Sequence, residues 1–365
     1  MGKKIIFVHL LNDFSGSPKV LAQVISSLKS KNNDLELYVG NDDGGFLSDL
    51  GIDSHNYRYK RFGNKILTLF SYIWSQARLF VALLKYRKQD IVIYINTMLP
   101  FGAAIAGMVL RKPVYYHIHE TSIRPHLLKK FLRKIISISA VKIIFVSRSL
   151  EKTEAFKGVN QRVIYNSLPR EFIEKADNFA LKLQPASDQF VTLLICSLKK
   201  YKGVDEFVQI AKKCEIDKSL KFHLILNATQ VEIDAYFESQ NLPSNLTLYG
   251  KQTELHSFYQ SADLLLNLSL KDQWVETFGL TILEAMAYGL PCIVPQSGGP
   301  TELIENDING YQIDAYNVDE ISNRIIELSK NEKLLKKLSF NAREKCKVFD
   351  PSIFELQIID LFNNK

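Results

Sequence analysis

Two glutamates, Glu276 and Glu284, stand eight positions apart in the stretch VETFGLTILEAMAYGLPCIV (275–294), which is otherwise mostly apolar. A carboxylate among Phe, Leu, Ile and Ala is costly unless a cation, hydrogen-bond donors or a ligand pairs with it. Gly279 follows Glu276, and the spacing predicts a helix beginning near Leu280 and ending at Gly289, with Pro291 opening a strand. Glu276 then lies in the loop and Glu284 about one turn inside. The unpaired N–H groups near Phe278, Gly279 and Leu280 point at whatever anion enters, and carboxylates accept hydrogen bonds from vicinal hydroxyls. A diphosphate flanked by hydroxyl-bearing rings, as in a nucleotide sugar, suits that arrangement. Acids near a helix N-terminus also complement its dipole, worth about 0.3–1 kcal/mol each. That bland reading explains one acid better than two in an apolar setting.

Other chemistry-bearing residues follow apolar runs. In CSLKKYKGVDEF, Lys199 and Lys202 with Gly203 precede a helix, where they either neutralise a diphosphate or are simply solvated. In VYYHIHETS, His117 and His119 share one strand face, and His119 falls where the strand gives way to a loop. Histidine there hydrogen-bonds sugar hydroxyls or is structural; Glu120 orients either ring or caps the loop. Asn96 and Thr97 after IVIYI contact an acceptor or cap the next helix, and Gly16 in NDFSGSPKV permits close approach to a ligand or forms an ordinary turn. Four scattered cysteines, Cys196, Cys214, Cys292 and Cys346, show no CxxC pairing, which argues against a zinc site or disulfide framework and fits a reducing compartment.

These residues need strands to present them. KIIFVHLL, LELYVG, IVIYIN, VYYHIH and KIIFVS are strand-like, and SPKVLAQVISSLKSK and LTLFSYIWSQARLFVALLKYRK have helical spacing. The alternation restarts at FVTLLICS and continues through FHLILNA, LTLYG, LLLNLS and PCIVP. It predicts two doubly wound α/β units with parallel sheets, residues 1–167 and 168–350, joined near Asn166 to Pro169 within NSLPREFIEKADNFALKLQPASDQ. Ligands bind beyond the carboxyl ends of such strands, so two facing sheets would form a cleft. A length of 365 residues, 46% hydrophobic and 23% charged, allows two full cores. The N-terminus is expected to be a first strand and not a signal peptide, and no apolar run is expected to be long enough to cross a membrane.

The net charge of +7 is unevenly placed: residues 1–170 hold 26 Lys and Arg against 11 Asp and Glu, or +15, leaving −8 for residues 171–365. A basic half suggests an anionic partner such as phospholipid headgroups, a lipid diphosphate or nucleic acid. In RPHLLKKFLRKIIS, apolar Leu127, Leu128, Phe131, Leu132, Ile135 and Ile136 lie opposite Lys129, Lys130, Arg133 and Lys134. This is either a core helix with a solvated basic face or, with YRYKRFGNK upstream, a contact with anionic lipid.

ETFGLTILEAMAYGLPCIV followed by SGGPTEL resembles the E-x7-E signature of retaining glycosyltransferases of family 4 (glycosyl transferases group 1), which have the GT-B fold. FVSRSLEK, VIYNSLP, KG and SADLLLNLS extend the resemblance over most of the chain. It implies that Glu276 binds donor sugar hydroxyls with amides around Phe278 and Gly279, that Glu284 binds the ribose, and that Lys202 neutralises the diphosphate. It places His119 beside the transferred sugar and Gly16 near phosphates or acceptor. Many relatives carry arginine where this chain has Ser197, five residues before Lys202; Lys199 on the same loop is the expected substitute. The last helix, PSIFELQIIDLFN after Pro351, is expected to pack residues 351–365 back on the first domain.

The resemblance implies metal-independent, retaining transfer without a cofactor, and no convincing Asp-x-Asp site stands in the sequence. The implied acceptor is a lipid-linked or growing saccharide of capsule, exopolysaccharide or lipopolysaccharide synthesis. The implied place is the cytoplasm, peripheral to the inner face of the membrane, with no nucleic-acid partner. The alternatives are a nucleotide-sugar epimerase on the same fold, or a catalytically silent nucleotide-sugar or lipid-binding module. A dinucleotide-dependent dehydrogenase is disfavoured, because no G-x-G-x-x-G follows a strand.

Overall fold

The computed structural model describes residues 4–31, 33–41, 44–179 and 189–363. The chain divides into two compact units, Met1–Asn166 with Ser352–Lys365, and Ser167–Pro351. Residues 180–188 of the stretch read as the linker lie outside the described residues.

The first unit is built on strands β1 (Lys4–His9), β2 (Leu35–Val39), β3 (Asp53–Asn56), β4 (Ile91–Asn96), β5 (Val114–Ile118), β6 (Ala140–Phe145) and β7 (Asn160–Val163), ordered β3-β2-β1-β4-β5-β6-β7. Every pairing is parallel. All six residues of β4 and the run Ile5–Val8 of β1 are buried, as expected of strands covered on both faces. The sheet grows one way from β1 to β2 and β3 and the other way from β4 to β7. The order therefore reverses between β1 and β4, where chains leaving adjacent strands diverge.

Two strands escape a hydrophobicity reading. β3, DSHN, and β7, NQRV, are short edge strands with no fully buried residue. An edge strand needs backbone partners on one side only, so its side chains need not be apolar. The terminal helix Pro351–Asn363 buries Phe354, Ile358 and Leu361. Lys142 Nζ donates to Leu361 O at 2.8 Å, Arg162 reaches Asp360 at 3.2 Å, and the Phe362 ring lies 5.5 Å from Tyr115. The expected return of this segment to the first unit is what the structure shows.

Two expectations are corrected. The segment Lys65–Lys88 forms 24 helical residues that are long and apolar enough to cross a membrane by length and composition. The sequence disguises this, because Lys65 and Arg78 interrupt its apolar run. In the helix His126–Ser139 the basic face is not simply solvated: Lys129 and Arg133 both bond the buried Glu154 carboxylate. Leu132 and Ile136 point into the core and Leu127 is exposed.

The second unit has strands β8 (Phe190–Cys196), β9 (Leu220–Leu226), β10 (Leu246–Tyr249), β11 (Leu264–Leu266), β12 (Cys292–Val294) and β13 (Gly310–Gln312), ordered β10-β9-β8-β11-β12-β13 and parallel throughout. Its order reverses between β8 and β11. Its core runs from Phe190, Phe207 and Phe222 through Leu264 and Ile293 to Ile321, Ile325 and Leu338.

Candidate active site

In the second unit the residues of interest leave β8 and β11, the two strands at the reversal. After β8 the chain makes a short 3-10 turn, Lys200–Lys202. Lys202 Nζ forms an ion pair with Glu276 Oε2 at 2.6 Å, the two side chains 18% and 19% exposed. Lys202 also lies over the Trp274 ring at 5.4 Å, and Trp274 stacks on Tyr201 at 5.1 Å. Burial disfavours the ammonium, but the charge and hydrogen bond of Glu276 more than offset it, so the Lys202 pKa stands above its ordinary value. Lys202 therefore arrives at the site charged and shared.

Glu276 is held from behind. Gly299 N donates to Glu276 O at 2.9 Å, and Gly298, at φ 79°, lies so close to that carbonyl that a Cβ would collide with it. The helix Leu280–Ala287 begins just after, with Gly279 at φ 104° as N-cap. No side chain caps this end and its first turn carries no acid, so the peptide N–H groups present their partial positive charge to whatever binds there. Phe278 is buried edge-on to Phe349 at 5.8 Å.

Glu284 is 4% exposed and accepts the Tyr259 hydroxyl at 2.6 Å. Burial and this carboxylate together push the Tyr259 pKa well above its ordinary value, keeping the phenol a donor. Lys199 stands apart: it is exposed, and its charge acts on Glu232. The structure thus gathers Lys202, Glu276 and the helix start at Gly279 and Leu280, sets Glu284 one turn behind them, and leaves Lys199 outside. Tyr259, Trp274 and Tyr201 were not legible as partners of this group. Tyr259 lies within LHSFYQSA, a segment whose only sequence signal is helical spacing.

The first unit gathers a polar cluster at the ends of β1, β4 and β5. Asn96, fully buried, bonds His119 Nε2 through Oδ1 at 2.8 Å, and its Nδ2 donates to Ser17 O at 3.1 Å. Its backbone carbonyl lies 3.2 Å from Nδ1 of His9. The His117 and His119 rings are 4.3 Å apart, and His117 Nδ1 bonds the Tyr94 hydroxyl at 2.8 Å. Burial lowers His9 to about 4 and His117 to about 3. Burial, with the neighbouring His117 and His9, also holds His119 well below its ordinary value. All three imidazoles are neutral near pH 7, so His119 offers a hydrogen bond and not a charge.

Glu120 accepts from Met98 N at 2.7 Å and His119 N at 3.1 Å; burial outweighs these donors and raises its pKa to about 7. It orients the His119 loop through the backbone, not through a ring. Thr97, read as an acceptor contact, is buried at φ 74°, a left-handed conformation unusual for a β-branched residue. Gly16 opens the helix Gly16–Lys29 and is exposed. Among the described residues no three His, Cys, Asp or Glu side chains converge as a metal-ligand set.

The chain matches two family models: Glycosyltransferase Family 4 over residues 14–172 and Glycosyl transferases group 1 over residues 176–345. It is 49% identical over 51 residues to sucrose synthase of Melioribacter roseus, a match covering 14% of this chain and 6% of that protein. It is 39% identical over 69 residues to N-acetyl-alpha-D-glucosaminyl L-malate synthase of Bacillus anthracis, covering 19% and 18%. These matches therefore span a small part of each relative's length. The structure of Anabaena HepE in complex with UDP and glucose superposes with a TM-score of 0.80 at 19% identity, covering 100% of both chains. The shared architecture is the GT-B fold that the sequence implied.

Proposed function

The chain belongs to the glycosyl transferases group 1 family, and from that premise we propose that it moves a sugar from a nucleoside diphosphate sugar to an acceptor hydroxyl, retaining the anomeric configuration. The observation that carries this reading is the Lys202–Glu276 pair beside the uncapped helix start at Gly279. A diphosphate arriving there meets a charged ammonium and peptide N–H groups, the donor set that stabilises the charge developing on a leaving nucleotide. Glu276, once Lys202 turns to phosphate, accepts hydrogen bonds from sugar hydroxyls; Glu284, oriented by Tyr259, serves the ribose. Charge neutralisation is assigned to the chain's own groups, without a metal or cofactor.

His119 is assigned to the transferred sugar by the family resemblance, as a neutral hydrogen-bonding group. Asn96 holds its ring and Glu120 its backbone. The acceptor is proposed to be a lipid-linked or growing saccharide of bacterial surface polysaccharide synthesis, met at the cytoplasmic face of the membrane. The excess of +15 in residues 1–170 supports this.

A thermal-shift screen of UDP-, GDP-, ADP- and dTDP-sugars tests the donor site. A ligand at 100 times its Kd stabilises by about 2.7 kcal/mol through mass action, so one of the nucleotides should raise the melting temperature by several degrees. The screen is then repeated on Glu284→Ala, which should weaken that donor. If no nucleotide sugar shifts the protein and none is consumed with a saccharide acceptor, the proposal fails. Epimerised donor in the absence of acceptor would replace it with the epimerase reading.

A further inference from the structure

The helix Lys65–Leu83 is apolar on two faces, and only one of them is packed. Tyr72, Ser75, Gln76, Leu79 and Leu83 recur at helical spacing and face the core of the first unit. The opposite face exposes Ile66 at 65%, Phe70 at 66%, Ile73 at 51%, Trp74 at 66% and Val81 at 62%. A helix apolar all round is normally buried all round, and a contiguous apolar stripe of this kind marks an interaction surface.

The charge around the stripe identifies what covers it. From Arg58 to Gln89 the chain carries eight Lys and Arg and no Asp or Glu, and all eight are exposed. Beside the stripe an open groove of about 630 Å³ is lined by Trp74, Arg78, Val81 and Lys85 of this segment, with Tyr38 of β2 and His55 of β3. It has apolar walls with Arg78 and Lys85 on them, the latter also 3.6 Å from the Glu36 carboxylate, the chemistry that receives an anionic headgroup above an acyl chain.

We propose that this face is a membrane seat: the helix lies in the interface of an anionic phospholipid bilayer, its outer stripe in the acyl boundary and the flanking cations among the headgroups. The inference deepens the membrane placement proposed above and rests on it for the acceptor's location, though not for the binding itself. The helix lies flat and does not cross, because its inner face is tied down. Gln76 Oε1 accepts from Gly102 N at 3.0 Å, and the Tyr72 hydroxyl donates to Leu99 O at 2.5 Å. A crossing orientation would break these bonds and bring Ser75 and Gln76 into hydrocarbon. A second copy of the chain is the poorer occupant, since a two-fold contact sets the same surface against itself and brings eight exposed cations against eight.

The test is flotation of the full chain with phosphatidylglycerol vesicles and with phosphatidylcholine vesicles, in low and high salt. The wild type should float with the anionic vesicles, at least ~10-fold less with the neutral ones, and less in high salt. Phe70→Ser/Trp74→Ser should weaken partitioning by about ten-fold per side chain. Lys60→Glu/Arg61→Glu lies in the exposed segment before the helix, and should weaken it by about five-fold or more per position. The nucleotide-induced thermal shift, measured on the same samples, reports folding and the donor site separately. The seat is overturned if the wild type stays with the soluble fraction, or if both variants float as well as the wild type while keeping that shift. It is also overturned if the wild type is a dimer that Phe70→Ser/Trp74→Ser dissociates without any vesicle binding. Loss of the nucleotide shift with vesicle binding intact would count against the transferase reading and leave the seat standing.

Discussion

Replacing Lys202 by Met tests the donor site most directly, because the structure fixes both what is lost and what is uncovered. The ammonium lies 2.6 Å from Glu276 Oε2 in a site about one-fifth exposed. A unit charge about 4 Å from a phosphate oxygen contributes ~4 kcal/mol at an effective dielectric of 20 and ~1 kcal/mol in bulk water. Partial exposure puts the lost attraction near 2–3 kcal/mol. Lys202→Met also leaves Glu276 unneutralised in the path of the diphosphate, adding roughly 1 kcal/mol of repulsion. The probe is the nucleoside diphosphate of whichever sugar nucleotide gives the thermal shift, because it carries the diphosphate without the sugar. Isothermal titration should show its binding weakened by about 100- to 1000-fold.

The double variant Lys202→Met/Glu276→Gln removes the repulsion and should regain about five- to ten-fold. Glu276→Gln alone should leave the affinity for that nucleoside diphosphate unchanged or improved while weakening the sugar nucleotide, since it frees Lys202 and removes a hydroxyl acceptor. The reasoning is refuted if Lys202→Met binds the nucleoside diphosphate within about three-fold of wild type. It is equally refuted if Glu276→Gln weakens the nucleoside diphosphate and its sugar nucleotide alike.

Four further outcomes are expected. His9 and His117 have pKa values of about 4 and about 3 in the fold against 6.5 unfolded, so the unfolded chain alone takes up their protons as pH falls below 6.5. These two histidines should then lower stability by roughly 2–3 kcal/mol per pH unit near pH 5. Glu120, raised to about 7, works the other way: its contribution is present below the unfolded carboxyl pKa and lost as pH rises through 7, so Glu120→Gln should steepen the decline in urea midpoints between pH 6 and 5. Tyr259→Phe should cost the second unit about 1–2 kcal/mol by thermal denaturation, through the hydrogen bond given up by Glu284, and the loss should largely disappear in a Glu284→Ala background, which has no acceptor there. Gly298→Val sets a Cβ against the Glu276 carbonyl at a positive φ; it should abolish the nucleotide-induced thermal shift and cost about 2 kcal/mol or more by denaturant midpoint.

The buried strands were legible because parallel strands covered on both faces must be continuous apolar runs, and β1, β4, β5 and β8 are such runs. β3 and β7 were not, because an edge strand is specified by its neighbour's backbone. Lys202 and His119 stood out as polar residues just after apolar runs, and Glu276 as a carboxylate in a mostly apolar stretch. Their partners were not: nothing in the local sequence says that Asn96 faces His119 or that Tyr259 faces Glu284, contacts 23 and 25 residues apart. The outer stripe of Lys65–Leu83 was hidden for a different reason. Apolar residues at helical spacing announce a core, and only the packed structure separates the face that found one from the face that did not.

Lys202 and Glu276 are 74 residues apart and belong to two unrelated-looking motifs. They meet because β11 pairs with β8, Leu264 opposite Thr192, and not with β10, its predecessor in sequence. Had the sheet continued in chain order, the loop after β11 would lie two strands farther from the loop after β8, at least ~9 Å at the usual strand spacing, and Glu276 would be a buried-edge carboxylate without a cation. The strand order therefore converts a costly acid into half of a binding pair. The same reversal in the first unit, β1 beside β4, brings His9 and Asn96 together and lets Asn96 reach across to His119 beyond β5. In each unit the polar group that the sequence alone would count as misplaced stands where adjacent chains part, with its partner supplied by the strand the reversal puts beside it.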